Sequence, residues 1–144
     1  MGAGRYLWGG IMSTLEIMDN AAATLWFHPE AGIVHHRFKK PVGGDEFRWV
    51  LEGGLRLFVM RGASKWLSDD RANSALSPED SLWAMNDWAP RVAAVGWQYW
   101  AVILPKSAAG TIDMTKYIEQ QSALGVDVQI FFDPVLALAW LESV

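Results

Sequence analysis

The feature that most constrains the fold is a regular alternation of strand-like and helix-like segments from about residue 13 to the last residue. β-branched and aromatic runs bounded by glycine or proline are typical of strands, and apolar residues spaced three and four apart are typical of helices. Read along the chain, the order is β-β-β-α-β-α-β-α-β-α. Such alternation favours βαβ units with parallel strands. It predicts an α/β fold with a mixed central β-sheet and about four helices.

The segment boundaries follow from the turn and capping residues. Strands are predicted over residues 14–18, 23–28, 33–38, 64–68, 97–104 and 126–132, and helices over 45–60, 77–88, 113–124 and 135–142. The second and third strands flank the turn sequence PEAG and should form an antiparallel hairpin. Gly53 and Gly54 lie in the middle of the first helix, where they indicate either close approach to the sheet or a helix break.

The clearest helix start lies at Ser77, which is followed by Pro78, Glu79 and Asp80. Serine is a preferred N-cap, proline suits the first helical position, and acidic residues suit the first turn. Pro90 should end this helix near residue 88. Its buried side is predicted to consist of Leu82, Met85 and Ala89.

Length and composition narrow the class of protein. The 144 residues suit one domain over residues 13–144, with residues 1–12 as a flexible leader. The absence of cysteine excludes disulfides, thiol nucleophiles and cysteine-ligated zinc. A net charge of −4 without a basic cluster argues against nucleic-acid binding, and no apolar run is long enough for a membrane span. These features fit a cytoplasmic protein.

Several short segments, taken with the element order, resemble the STAS/SpoIIAA-like fold, which is shared with some SEC14-type proteins. More narrowly, the chain is similar to small bacterial STAS/SEC14 domain-containing proteins. The matching segments are WLSDDR at 66–71, SPED at 77–80, Trp83, WAPR at 88–91, FFD at 131–133 and ALAWL at 137–141. The likeness covers residues 13–144.

The resemblance implies a cytoplasmic, non-catalytic regulatory or protein-interaction domain that self-associates, for example as a homodimer. Anti-sigma-factor antagonists of this family carry a phosphorylatable serine in an Asp-Ser-Ser-Gly motif. The equivalent region here ends in Ser77, and the motif is absent. Glu79 and Asp80 would repel a phosphate at that serine. The likeness to SEC14-type proteins implies an alternative function, the binding of a small apolar or amphipathic ligand.

The first candidate site consists of Asp69, Asp70 and Arg71, which follow the fourth predicted strand. Ligands of open α/β sheets bind at the carboxyl ends of strands, and a helix start attracts anions. The alternative is a turn that holds an Asp–Arg ion pair. Two adjacent carboxylates also suit a hard cation, but the usual acidic spacing of a calcium loop is missing.

Tryptophans form the second candidate site. Trp83 lies beside the predicted buried side of its helix and could face a partner, since tryptophan is enriched at interface hot spots. Trp88, Trp97 and Trp100 belong to the same candidate. Core packing is the alternative for all four. The nine tryptophans of the chain are too many for a core of this size, so some should be exposed.

The three histidines are the remaining candidates for a metal or catalytic site. His35 and His36 are adjacent on a strand, so they should point to opposite faces and cannot ligate one metal together. His28 lies across the turn and could approach one of them. No nucleophile–base pair is visible. The sequence therefore predicts ligand- or partner-binding residues Asp69, Asp70, Arg71, Trp83 and Trp88, with no catalytic residue, metal or cofactor.

Overall fold

A single mixed β-sheet organises the protein. The computed structural model describes the backbone of residues 5–8 and 11–144 and the side chains of residues 14–144. The strands are β1 (Arg5–Trp8), β2 (Ile11–Asp19), β3 (Ala23–His28), β4 (Ile33–Phe38), β5 (Lys65–Asp69), β6 (Tyr99–Ile103) and β7 (Asp127–Phe131). They lie side by side in chain order. Strands β1 to β4 pair antiparallel, and β4 to β7 pair parallel.

Helical segments connect the parallel strands. They are α1 (Gly44–Arg61), α2 (Pro78–Trp83), a π-helical turn (Ala84–Trp88), α3 (Ala89–Ala94), α4 (Ala108–Ala123) and α5 (Pro134–Ser143). Because α2, the π turn and α3 follow one another without a gap, the described part of the chain has four helical stretches. The predicted α/β class and mixed sheet are confirmed. Residues 1–4 and 9–10 of the predicted leader lie outside the described residues, and Arg5–Trp8 within it forms β1.

The two faces of the sheet carry two separate cores. The larger core packs α1, α2, α3 and α4 against one face, with Val34, Trp66 and Val102 among its strand residues. The smaller core packs α5 against the other face through residues such as Leu67 and Leu138. Alternation along each strand sends neighbouring side chains into different cores. The helical segments that connect the parallel strands all contribute to the larger core, so they lie on the same face of the sheet. A cavity lies between them and the sheet.

The helix that begins at Pro78 departs from the prediction. It does not end near Trp88, because the π turn carries the chain through Pro90 to Ala94. The N–H of Ala89 donates to the carbonyl oxygen of Ala84, five residues back, and the missing N–H of Pro90 falls where the helix changes from π to α. The π turn also changes which residues are buried: Leu82 is 60% exposed, and Ala84, Trp88, Ala89 and Val92 face the core.

The start of α4 was also misplaced by the sequence pattern. The helix begins at Ala108, earlier than the predicted residue 113, and Ser107 is its N-cap. The hydroxyl oxygen of Ser107 accepts from the N–H of Gly110 at 3.0 Å. Gly110 itself disfavours a helix, which concealed the capped first turn. Pro105 packs so closely against Gly110 that there is little room for a side chain there.

Gly53 and Gly54 allow α1 to approach the sheet closely, and α1 is unbroken through both. A Cβ atom on Gly53 would lie 2.9 Å from Cδ2 of Leu25. A Cβ atom on Gly54 would overlap the six-membered ring of Trp66, which is fully buried beneath the helix. Close approach is therefore the correct alternative of the two that the sequence left open.

The Gly54→Ala substitution should destabilise the protein. Overlap with the Trp66 ring outweighs the better helix propensity of alanine, so we expect the free energy of unfolding to fall by about 1–3 kcal/mol. Urea denaturation measures the change. Arg56→Ala, at an exposed position of the same helix, is the control and should stay within about 0.5 kcal/mol of the wild type. An unchanged or raised stability of Gly54→Ala would contradict the close approach.

Candidate functional site

A cavity of about 70 Å³ lies between the sheet and helices α1, α3 and α4. Its floor is formed by the core-facing residues of β4, β5 and β6, and its rim includes the loops that follow β5 and β6. Those loops leave the carboxyl ends of parallel strands, where open α/β sheets bind ligands. Since about 10–15 Å³ is the minimum for one water, the cavity has space for more than one water-sized group.

Four buried indole rings form much of the cavity wall: Trp66, Trp88, Trp97 and Trp100. The rings meet at steep angles. Trp66 and Trp88 have an interplanar angle of 89° with centroids 5.1 Å apart, and Trp97 and Trp100 have 58° with centroids 5.2 Å apart. Such tilted packing places ring faces next to ring edges, as the aromatic quadrupole favours. The result is a rigid apolar enclosure.

Three of the four indole N–H groups donate to protein acceptors. The acceptors are Nδ1 of His36 for Trp66 (2.9 Å), the carbonyl oxygen of Leu51 for Trp88 (2.8 Å) and Oγ of Ser68 for Trp100 (2.8 Å). Each of these bonds fixes the orientation of its ring. The N–H of Trp97 is buried and has no acceptor among the described residues.

His36 and Asp70 form the polar centre of the cavity. Nε2 of His36 lies 2.8 Å from Oδ1 of Asp70, and both side chains are almost completely buried. Because an indole N–H is only a donor, Nδ1 of His36 must accept from Trp66 and carries no hydrogen. The hydrogen is therefore on Nε2 and is donated to Asp70. In this arrangement the imidazole is neutral and holds the carboxylate in place.

This arrangement leaves His36 without a free nitrogen for proton transfer. A histidine that acts as general base needs one ring nitrogen on the reacting proton, and its other nitrogen is usually oriented by a carboxylate. Here the two nitrogens bind Trp66 and Asp70. Ser68, the hydroxyl on the same face of β5, accepts from Trp100 and has no bond to His36. The geometry gives His36 the role of orienting Asp70.

The structure separates the three residues of the first predicted site. Asp69 and Arg71 form a two-bond ion pair, with distances of 2.9 Å to Oδ1 and 2.7 Å to Oδ2. This is the turn arrangement that the sequence left as the alternative. The hydrogen bonds that Arg71 donates to Asp69 contribute most to raising the pKa of Arg71. Asp70 points to the opposite side, into the cavity.

The two tryptophans predicted as binding residues also occupy different environments. Trp88 is buried and lines the cavity. Trp83 is half-buried and does not line the cavity. Its ring centroid lies 6.0 Å from that of Phe47 and 4.9 Å from the guanidinium carbon of Arg48. Only Asp70 and Trp88 of the five predicted residues therefore meet in the cavity.

Two cavity-lining residues on α4 were missed by sequence reasoning. Gln121 is 1% exposed, and neither its amide nitrogen nor its amide oxygen has a partner among the described residues. Tyr117 donates its hydroxyl to the carbonyl oxygen of Ser81 at 2.9 Å, and burial raises its pKa. The sequence contains a signal for both: Tyr117 and Gln121 are four residues apart, so they lie on the same side of the helix.

A second histidine pair lies on the other face of the sheet. Nε2 of His28 is 3.1 Å from Nδ1 of His35, and Nδ1 of His28 is 3.0 Å from the hydroxyl of Thr14. His35 and His36 therefore point to opposite faces, as predicted, and His28 approaches His35. Burial lowers the pKa of His28 from 6.5 to about 4, and it also lowers the pKa of His35. Both rings are neutral near pH 7.

Comparisons with known proteins, the arrangement of possible metal ligands and the length of the helices give three negative findings. Compared with family models, curated proteins and solved structures, the chain shows no match. Within residues 14–144, no three His, Asp or Glu side chains are placed to hold a metal ion. Among the described residues, no helix is both long and apolar enough to cross a bilayer. The resemblance to STAS/SpoIIAA-like proteins stays a prediction.

The His28 pair should make stability depend on pH. The pKa of His28 is lower in the folded protein than in the unfolded chain. Its contribution to the free energy of unfolding is therefore fully present above pH 6.5 and is lost as the pH falls towards 4. We expect a His28→Gln variant to lose about 2 kcal/mol less than the wild type between pH 7 and pH 5. Urea denaturation at both pH values checks this, with Glu30→Gln in the same hairpin as control. Parallel pH profiles for wild type and His28→Gln would contradict it.

Proposed function

We propose that this protein is a binding domain that takes up a small amphipathic molecule in the cavity. The observation that carries the proposal is the combination of an apolar indole wall with buried polar atoms, at Gln121 and Trp97, that have no partner among the side chains of residues 14–144 or the described backbone. Buried polar groups are nearly always hydrogen-bonded, so unpaired ones in a cavity indicate a bound molecule or water. Small-molecule sites have this composition, mostly apolar with a few fixed polar groups.

The position of the cavity supports the same function. It is lined by residues that follow the carboxyl ends of β5 and β6, including Asn73 and Pro105. Open α/β sheets bind ligands at the carboxyl ends of their strands, and this cavity lies at that edge. Ligand binding was the alternative that the likeness to SEC14-type proteins implied, and the STAS/SpoIIAA-like architecture remains part of this proposal.

A substitution that fills the cavity tests the proposed ligand binding. Ser74 is half-buried in the loop that lines the cavity, and its neighbour Ala75 is exposed and outside the lining. We expect 1-butanol, n-butylammonium or butyrate to shift the indole N–H signals of Trp88 and Trp97 in NMR spectra of the wild type. Ser74→Trp should weaken that binding about tenfold or more, because the larger side chain fills the space, and Ala75→Trp should not.

Two outcomes would contradict ligand binding. One is that none of the three probes shifts the indole signals of the wild type at millimolar concentration. The other is equal binding by Ser74→Trp and the wild type, which would place the probes elsewhere on the surface.

As a second function, we propose a regulatory or protein-interaction role that acts through self-association. It is supported by exposed apolar side chains at the end of β7 and the start of α5. These are Ile130, Phe132, Val135 and Leu136. Phe132 is 89% exposed. Apolar side chains grouped on a surface are typical of interaction sites.

Self-association through these residues is tested by light scattering. We expect the wild type to form a dimer and Phe132→Asp to shift it towards monomer, because a buried charge at the interface is unfavourable. Ile112→Asp, at another exposed apolar position on α4, is the matched control and should leave the dimer intact. A wild type that remains monomeric up to millimolar concentration would overturn this second role.

A further inference from the structure

We propose that the ligand of the cavity carries a positive charge, as a small organic ammonium group with Asp70 as its counter-ion. This inference rests on the proposed function and specifies the chemical class of the ligand. It is carried by the charges of the lining, the pairing of three indole N–H groups within the protein and the Gln121 amide, which has no partner among the described residues.

The lining is negative. Asp70 and Asp113 belong to it, and no lysine or arginine does among the described lining residues. Asp70 is 3% exposed, and the partner of its side chain is the N–H of the neutral His36. The nearest arginine in sequence, Arg71, is bound to Asp69 instead. A buried carboxylate is stable only when it is compensated, and a cation in the cavity would supply that compensation.

The aromatic wall suits a cation for a second, independent reason. The ring faces of indole carry negative potential and attract ammonium groups, whereas the N–H edge repels them. The N–H edges of Trp66, Trp88 and Trp100 are occupied by acceptors of the protein. These three N–H groups are therefore not available to donate to a ligand. The rings offer the cavity their carbon surfaces, next to a fixed carboxylate.

Gln121 adds the third element. Its unpaired amide oxygen can accept from an ammonium N–H, and its burial at 1% exposure excludes bulk water as the usual partner. The unpaired N–H of Trp97 is a donor and repels a cation. The ammonium group should therefore lie towards Asp70, and an acceptor atom of the ligand would suit the N–H of Trp97.

A matched set of probes tests the charge of the ligand. n-Butylammonium chloride, 1-butanol and sodium butyrate have the same carbon chain and differ in charge, and all titrations are done at the same ionic strength. We expect the wild type to bind the ammonium about tenfold tighter than the alcohol, and butyrate least. The readout is the shift of the indole N–H signals in NMR spectra.

Two aspartate variants locate the charge recognition. Asp70→Asn keeps an acceptor for His36 and removes the negative charge, so ammonium binding should fall about tenfold while 1-butanol binding changes less than about threefold. Asp69→Asn makes the same change of net charge outside the cavity and should bind all probes as the wild type does. If Asp70→Asn does not fold, the order of the three probes on the wild type decides alone.

The outcomes separate this inference from the proposed function. Binding of 1-butanol as tight as, or tighter than, that of n-butylammonium would overturn the positive charge and leave ligand binding intact. Equal loss of both probes in Asp70→Asn would also overturn it, because the effect would then be structural. Failure of all three probes to bind the wild type would contradict the proposed function itself.

Discussion

The hydrogen bond from the indole N–H of Trp66 to Nδ1 of His36 is the interaction on which the rest of the site depends. It fixes the tautomer of His36, and the tautomer in turn makes Nε2 the donor to Asp70. Trp66 can make this bond because Gly54 lets helix α1 lie directly on the ring. The absence of a side chain at Gly54 therefore affects the packing of the Trp66 ring and, through His36, the position of the Asp70 carboxylate.

Strands β3 to β7 and the class of fold could be predicted from the sequence because turn residues bound each of these strands, whereas β1 and the start of β2 fall in the stretch predicted to be a flexible leader. The hairpin of β3 and β4 has the predicted limits, since Pro29 and Gly32 mark its turn. A period of two along β5 also contained a signal for the site. It puts Trp66, Ser68 and Asp70 on one face and separates Asp70 from Asp69. The prediction that Asp69 and Asp70 form one site did not take this alternation into account.

Other features could not be read from sequence pattern. His36 meets Asp70 only because the parallel register places His36 of β4 beside Ser68 of β5, and register between distant segments is a tertiary property. The π turn has no strong local signature, and Pro90 indicated a helix end. The spacing of Tyr117 and Gln121 places both on one side of α4, but the lack of partners for the Gln121 amide among the described residues depends on how the neighbouring elements pack.

The sequential order of the strands has a consequence for how the chain assembles. Every strand among the described residues pairs only with its neighbours in sequence, so no segment has to be inserted between two strands that are already joined. The sheet can grow outward one element at a time, starting from a hairpin whose contacts are local and which closes with little loss of chain entropy. The cavity is complete only with α4, which supplies the last of its walls along the chain.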